Sequence, residues 1–203
     1  MTVSLPQPGG SPFHCKGLVY QGARAHYEKM IPGGLAAMRS WLDNEALHEF
    51  WDRDFLAGAW YDALPIVELS RAAAHAAGIP HLTLVKENAR VVAERDINGV
   101  YKFLLRLASA DMVVKRLPRA ALQYFNFGET REEQLEERVF TATQTGIPAH
   151  MGPWMSACIS GFAPVALAAA GAKNVRVRNV VSGVMGQREG IDLVEIRIQI
   201  AWD

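Results

Sequence analysis

The spacing of apolar positions divides the chain into two parts with different periods. In residues 194–202, Val194, Ile196, Ile198, Ile200 and Trp202 stand on one side and Glu195, Arg197 and Gln199 on the other. That period of two marks a half-buried antiparallel strand. Three further stretches, 122–127, 138–145 and 175–181, alternate or run apolar at strand spacing, and one long apolar helix is predicted between the second and the third. Residues 119–203 thus read as β-β-α-β-β, a four-stranded antiparallel sheet with a central helix. The helix carries Met151, Trp154, Met155, Cys158, Phe162 and Val165 along one stripe, while Ser156, Ala157, Ser160, Gly161 and Ala168 on another side are small enough to admit a second backbone. The charged stretch 128–137 reads as a solvated hairpin loop, and 183–190 as the final hairpin connection.

Residues 16–118 follow helical spacing instead. A short edge strand is predicted at 16–21 and helices at 22–30 and 35–42, followed by one that Asp43 or Asn44 would cap. The next runs from Pro65, well suited to a first turn, to the stop at Gly78. Others follow Pro80 to about residue 95, cover 98–108, and run from a Ser109 cap to Pro118. Residues 1–15, rich in Pro and Gly, read as a flexible arm. The predicted fold class is α+β, an N-terminal helical bundle packed on the four-stranded sheet, with 16–203 forming one domain.

Composition narrows the function classes. Half of the 203 residues are hydrophobic and 21% are charged, which excludes a disordered chain. Lys plus Arg equals Asp plus Glu at 21 each, so the electrostatic footprint of a nucleic-acid binder is missing. Cys15 and Cys158 form no Cys-x-x-Cys and suit a reducing cytoplasm. Residues 1–12 lack the basic-then-apolar pattern of a signal peptide, and the apolar run 157–170 is interrupted by Gly161 and Pro164, so no membrane span is expected.

Chemical motifs are sparse. His75 and His81 are split by the Gly78-Ile79-Pro80 break and His14-Cys15 stands alone, so no metal set is complete. Cys158 sits in an apolar helix without a neighbouring His, and the surrounding string has no Gly-x-Ser-x-Gly elbow. The glycine turns match no phosphate-binding loop. No catalytic residue is predicted and the chain reads as a non-enzyme. What stands out is an aromatic and sulfur-rich set, Trp60, Tyr61, Tyr101, Tyr124, Phe125, Trp154, Cys158 and Phe162, expected to converge where bundle meets sheet and to line an apolar pocket with a few polar tips.

The words KGLVYQG, YDALPIVEL, VYKFLLRLASADMVVKRLP, LQYFNFGE and AAAGAKNVRVRNV resemble an uncharacterised paralogous family abundant in myxobacteria. Helices followed by β-β-α-β-β resemble the wider superfamily of haem-nitric-oxide-binding domains, vinyl-4-reductase-type sensors and TRAPP trafficking subunits. The resemblance implies a sensor or regulatory domain holding a hydrophobic small molecule between bundle and sheet and acting through a homodimer or a partner protein. Its alternatives are an interaction module with a filled core and a haem-based gas sensor. The haem branch carries Tyr-x-Ser-x-Arg for the propionates and an axial His on a helix. Here Tyr124-Phe125-Asn126-Phe127-Gly128 has neither Ser nor Arg at that spacing, so haem is disfavoured and no cofactor is expected.

Overall fold

The protein is seen in a computed structural model that describes residues 6–98 and 108–203. Among the described residues seven α-helices and an antiparallel sheet make an α+β fold. The chain enters through β1 (His14–Lys16), which pairs antiparallel with β2 (Trp60–Asp62). Helix α1 (Gly17–Met30) follows β1 without a break. Of the edge strand predicted at 16–21, only Lys16 is in a strand and 17–21 lie inside this helix; the strand sits just before it, where Cys15 is fully buried.

Two short helices come next, α2 (Gly34–Arg39) and α3 (Glu45–Trp51). Asn44 caps α3 by accepting the Ala46 N–H at 2.8 Å. In α4 (Pro65–Ala77) Pro65 occupies the first turn and Gly78 closes the other end at φ 67°, a left-handed geometry that costs glycine little. Helix α5 (His81–Asn98) and helix α6 (Ala110–Ala121) complete the helical part, with Ser109 accepting the Met112 N–H at 3.3 Å. Pro118 does not end α6: the helix runs on to Ala121. The helix predicted at 98–108 falls, beyond Asn98, outside the described residues.

The stretch expected to be a mobile arm is partly fastened. Buried Asp62 accepts hydrogen bonds from the Gly9 N–H (2.9 Å), the Ser11 N–H (3.2 Å), the Ser11 hydroxyl (2.5 Å) and the Leu64 N–H (3.0 Å). Phe13 follows into the core. One carboxylate saturated by four donors offsets the ordering of several residues.

The sheet differs from the predicted one at both ends. Its first strand is β3 (Glu129–Glu136), the segment read as a charged loop, followed by β4 (Val139–Pro148), β5 (Arg176–Val181), a short β6 (Gly186–Arg188) and β7 (Ile191–Ala201). The spatial order is β3-β4-β7-β5, with β6 also on β7 and all pairs antiparallel, so five strands rather than four form the layer. Among the described residues strand β3 pairs only with β4, and charge along an edge strand deters further pairing, which explains why it reads as solvated loop. The aromatic stretch 122–127 is not in this sheet. It runs beside β1, where the Lys16 N–H donates to the Tyr124 carbonyl (2.8 Å) and the Asn126 N–H to the His14 carbonyl (3.0 Å).

Helix α7 (Gly152–Ala169), entered through a 3-10 turn at Ala149–Met151, packs against α5, α6, β5 and β7. With its 3-10 turn it is the one helix among the described residues long and apolar enough to cross a membrane; half of that span is buried in the protein. The expectation that no segment qualifies is corrected to that extent, since Gly161 and Pro164 do not interrupt the helix. Gly161 is where α7 meets α5. A Cβ there would lie 2.1 Å from the Lys86 carbonyl oxygen and 3.0 Å from Ala89 Cβ. One hydrophobic core continues from the helices through α7 to β4 and β7, and Val194, Ile196, Ile198, Ile200 and Trp202 are all within it.

Gly161→Ala is expected to destabilise the fold by about 1–3 kcal/mol through overpacking, less the roughly 1 kcal/mol that alanine gains in helix propensity. Gly183→Ala, where nothing lies within 4 Å, should stay within about 0.5 kcal/mol. Urea denaturation of the two variants measures the difference.

Candidate ligand cavity

Next to the Gly161 crossing the helices line a partly open cavity of about 170 Å³. Helix α5 contributes Asn88, Val92 and Arg95, spaced four and three residues apart and so on one face. Helix α7 contributes Trp154, Cys158 and Phe162 at intervals of four. Leu18 and Val19 of α1, Leu117 of α6, and Tyr124 and Phe125 just beyond α6 close the remaining sides.

Five of the eight residues singled out in the sequence therefore meet here: Tyr124, Phe125, Trp154, Cys158 and Phe162. Phe125 meets the Trp154 ring edge to face at 6.2 Å. Trp60 and Tyr61 do not join them. Trp60 is 44% exposed and lies under the Lys16 ammonium at 3.9 Å, a surface cation–π contact. The Tyr61 hydroxyl accepts the Leu56 N–H (2.9 Å), donates to the Asp54 carbonyl (3.3 Å), and its ring packs on Phe55, which holds the loop before β2. Both lie on β2, and strand placement carried them away from the junction. Tyr101 falls outside the described residues. Sequence reasoning missed Asn88, Val92 and Arg95, although their helical spacing was there to be read.

The rim is polar but largely paired within itself. The Tyr124 hydroxyl donates to Asp96 Oδ2 at 2.6 Å, and Arg95 Nε donates to Asp96 Oδ1 at 3.1 Å. Burial pushes the Cys158 thiol well above its ordinary range, so it stays protonated at neutral pH; the surface it keeps open borders the cavity. Cys15 is pushed up in the same way, by burial first and then by the Asp62 charge.

None of the six histidines lines the cavity. His75 stacks on Trp41 at 5.2 Å, His81 Nε2 lies 2.8 Å from the Ser70 hydroxyl, and His150 Nε2 lies 3.2 Å from Glu68 Oε1. Among the described residues no three metal-ligating side chains come together.

The architecture is that of H-NOX domains. An oxygen-binding H-NOX domain related to soluble guanylate cyclases superposes with a TM-score of 0.59 at 8% identity, covering 92% of both chains. The Fe(II) unliganded H-NOX protein of K. algicida gives 0.63 at 11% identity, over 93% of this chain and 96% of that one. An H-NOX protein from S. oneidensis in the Fe(II)NO state gives 0.58 at 11%, over 91% and 98%. At these identities the likeness is one of fold. No family model and no curated protein matches the sequence.

These neighbours overturn the expectation that no cofactor is involved and haem is disfavoured. One similar solved structure probes haem distortion in the H-NOX family, and another concerns the modulation of haem redox potential by protein-induced porphyrin distortion. The residues around the cavity nonetheless do not fit that group. Among the described lining residues there is no imidazole, and the Cys158 thiol and Tyr124 hydroxyl are respectively held protonated and bound to Asp96. A volume of about 170 Å³ also falls below the roughly 300–1,000 Å³ of pockets for drug-sized ligands.

Two measurements check this electrostatic picture. Burial first, then the Arg71 charge, lowers the His81 pKa from 6.5, and the neighbouring His150, with Nε2 3.2 Å from Glu68 Oε1, lowers that of Glu68 from 4.5. An imidazole that resists protonation in the fold contributes fully above pH 6.5 and loses its contribution as pH falls below it; the carboxylate's contribution fades below 4.5. The urea midpoint should therefore fall between pH 8 and pH 5, and fall less in His81→Gln. Thiol titration at pH 8 should find both cysteines slow in the native protein and fast in urea; rapid native labelling of Cys158 would contradict its burial.

Proposed function

We propose that this chain is a non-enzymatic sensor domain on the H-NOX fold, whose input is a small molecule held in the cavity between α5, α6 and α7. The observation that supports it most is the coincidence of fold and opening: helices and sheet share one core, and that core has a space beside Trp154 and Cys158. An interaction module with a filled core accounts less well for that space. The aromatic lining favours a hydrophobic guest, and a change in how α5 lies on α7 is passed to a homodimer or partner protein in the cytoplasm. The sequence words KGLVYQG and AAAGAKNVRVRNV keep the chain, on this reading, with the uncharacterised myxobacterial paralogues.

For the identity of the input, the comparisons back a haem-based gas sensor better than a bare apolar guest. Their structures include an oxygen complex and an Fe(II)NO state of H-NOX proteins. Haem, if bound, supplies the iron on which a gas is held.

Haem titration of the purified full chain, followed by an environment-sensitive apolar dye, separates the two. A saturable one-to-one Soret band that shifts with nitric oxide supports the gas sensor. No band, with saturable dye fluorescence that an apolar competitor displaces, supports the bare guest. Neither signal removes the sensor reading.

A further inference from the structure

We propose that copies of this chain associate head to tail through the two outer edges of the sheet, the acidic strand β3 of one copy pairing with the basic strand β5 of the next, so that one antiparallel sheet runs through both. In the order β3-β4-β7-β5 each outer strand has a single strand neighbour among the described residues. The backbone groups along such an edge are a template for a further strand. Charge sorts the partners. Strand β3 carries Glu129, Glu132, Glu133 and Glu136 against Arg131 alone, while β5 carries Arg176 and Arg178 and no acid. Like charges directly across a strand pair destabilise it and opposite charges favour it. Pairing of β3 with β3, or of β5 with β5, is therefore opposed, and the mixed pair is selected.

Direction and register agree with the charge. Every step in the sheet is antiparallel, so β3 and β5, three steps apart, run in opposite directions, and a copy displaced along the sheet sets its β3 antiparallel to β5. Glu136, Val139, Ala201 and Arg176 form one row across the four strands, and Arg131, Thr143, Arg197 and Val180 form another. Continued into the next copy, these rows put its Glu136 opposite Arg176 and its Arg131 opposite Val180, an exposed apolar residue that the arginine stem would cover. Arg178 lies between the two rows, as does Glu133 at the β3 bulge, and both are exposed. Arg176 already meets Asp203 at 3.2 Å in an exposed ion pair, which a second carboxylate can join. A twist of about 20–25° per strand turns the next copy by roughly a quarter turn, so its helical part lies on a different side of the shared sheet. Because the two contacting edges differ, each copy keeps one edge open and the assembly does not end at a dimer.

Sedimentation velocity on the full chain tests this. The native protein is expected to form a series of species that lengthens with concentration. Raising salt from about 0.01 M to about 1 M, which shortens the Debye length from about 30 Å to about 3 Å, should weaken the association about tenfold or more. Arg178→Glu and Glu133→Lys, both at exposed positions, should each weaken it about tenfold at low salt, and the chain carrying both should return to within about threefold of native. A native chain that stays monomeric at low salt, a series that stops at a dimer, or association indifferent to Arg178→Glu overturns the head-to-tail contact, and each leaves the reading of the cavity untouched.

Discussion

The fold depends on one close approach. At Gly161 the backbone of α7 comes against the Lys86 carbonyl of α5 with no room for a β-carbon. This fixes where the helical part sits on the rest, because α7 is also the helix that lies on β5 and β7. The Asn179 side chain reinforces that second contact by donating to the Ser156 carbonyl (2.9 Å) and the Ser160 hydroxyl (3.0 Å). A single residue without a side chain thus registers two layers, and the remaining helices pack around a position already set. Interiors near crystal density tolerate little slippage at such a point.

The cavity follows from the same contact. Two helices in backbone contact at one place, with larger residues along the rest of their facing surfaces, must stand further apart elsewhere. Along α5 the cavity is lined from Asn88 to Arg95, and along α7 from Trp154 to Ala163, stretches that border the Gly161 crossing. Bulky residues fill much of that wedge without closing it. Its walls are thus the side chains that hold α5 to α7, and any guest touches the contact that positions the two layers.

Much of the architecture was legible because the deciding signals are local. Asn44 and Ser109 cap helices because a short side-chain oxygen next to an apolar run has one good partner, the free N–H of the first turn. Strand β7 was readable from its alternation, since it is paired on both edges and buried on one face. Strand β3 was not, because its residues answer to an edge rather than to a core, and charge there looks like loop. The stretch 122–127 misleads for a related reason. Its residues are apolar as a strand's would be, but 122–124 form a turn and the partner that Phe125 finds is β1, more than a hundred residues earlier, a choice no local pattern encodes.

The site divides along the same line. Trp154, Cys158 and Phe162 could be grouped from sequence because one helix face carries them. Trp60 and Tyr61 were grouped with them on residue type alone, and type does not say which side of a molecule a short strand occupies. Asn88 shares a readable helix face with Val92 and Arg95, but the state of its amide is not in the sequence. An asparagine on a helix is ordinary until its neighbours are known, and here its side-chain oxygen is buried with no partner among the described residues. Likeness of fold faces the same limit from the other direction: it reports how the layers are arranged and is silent on which atoms face the space between them. For this chain the lining is mostly hydrocarbon, and that chemistry, more than the topology it shares with H-NOX domains, decides what the cavity can hold.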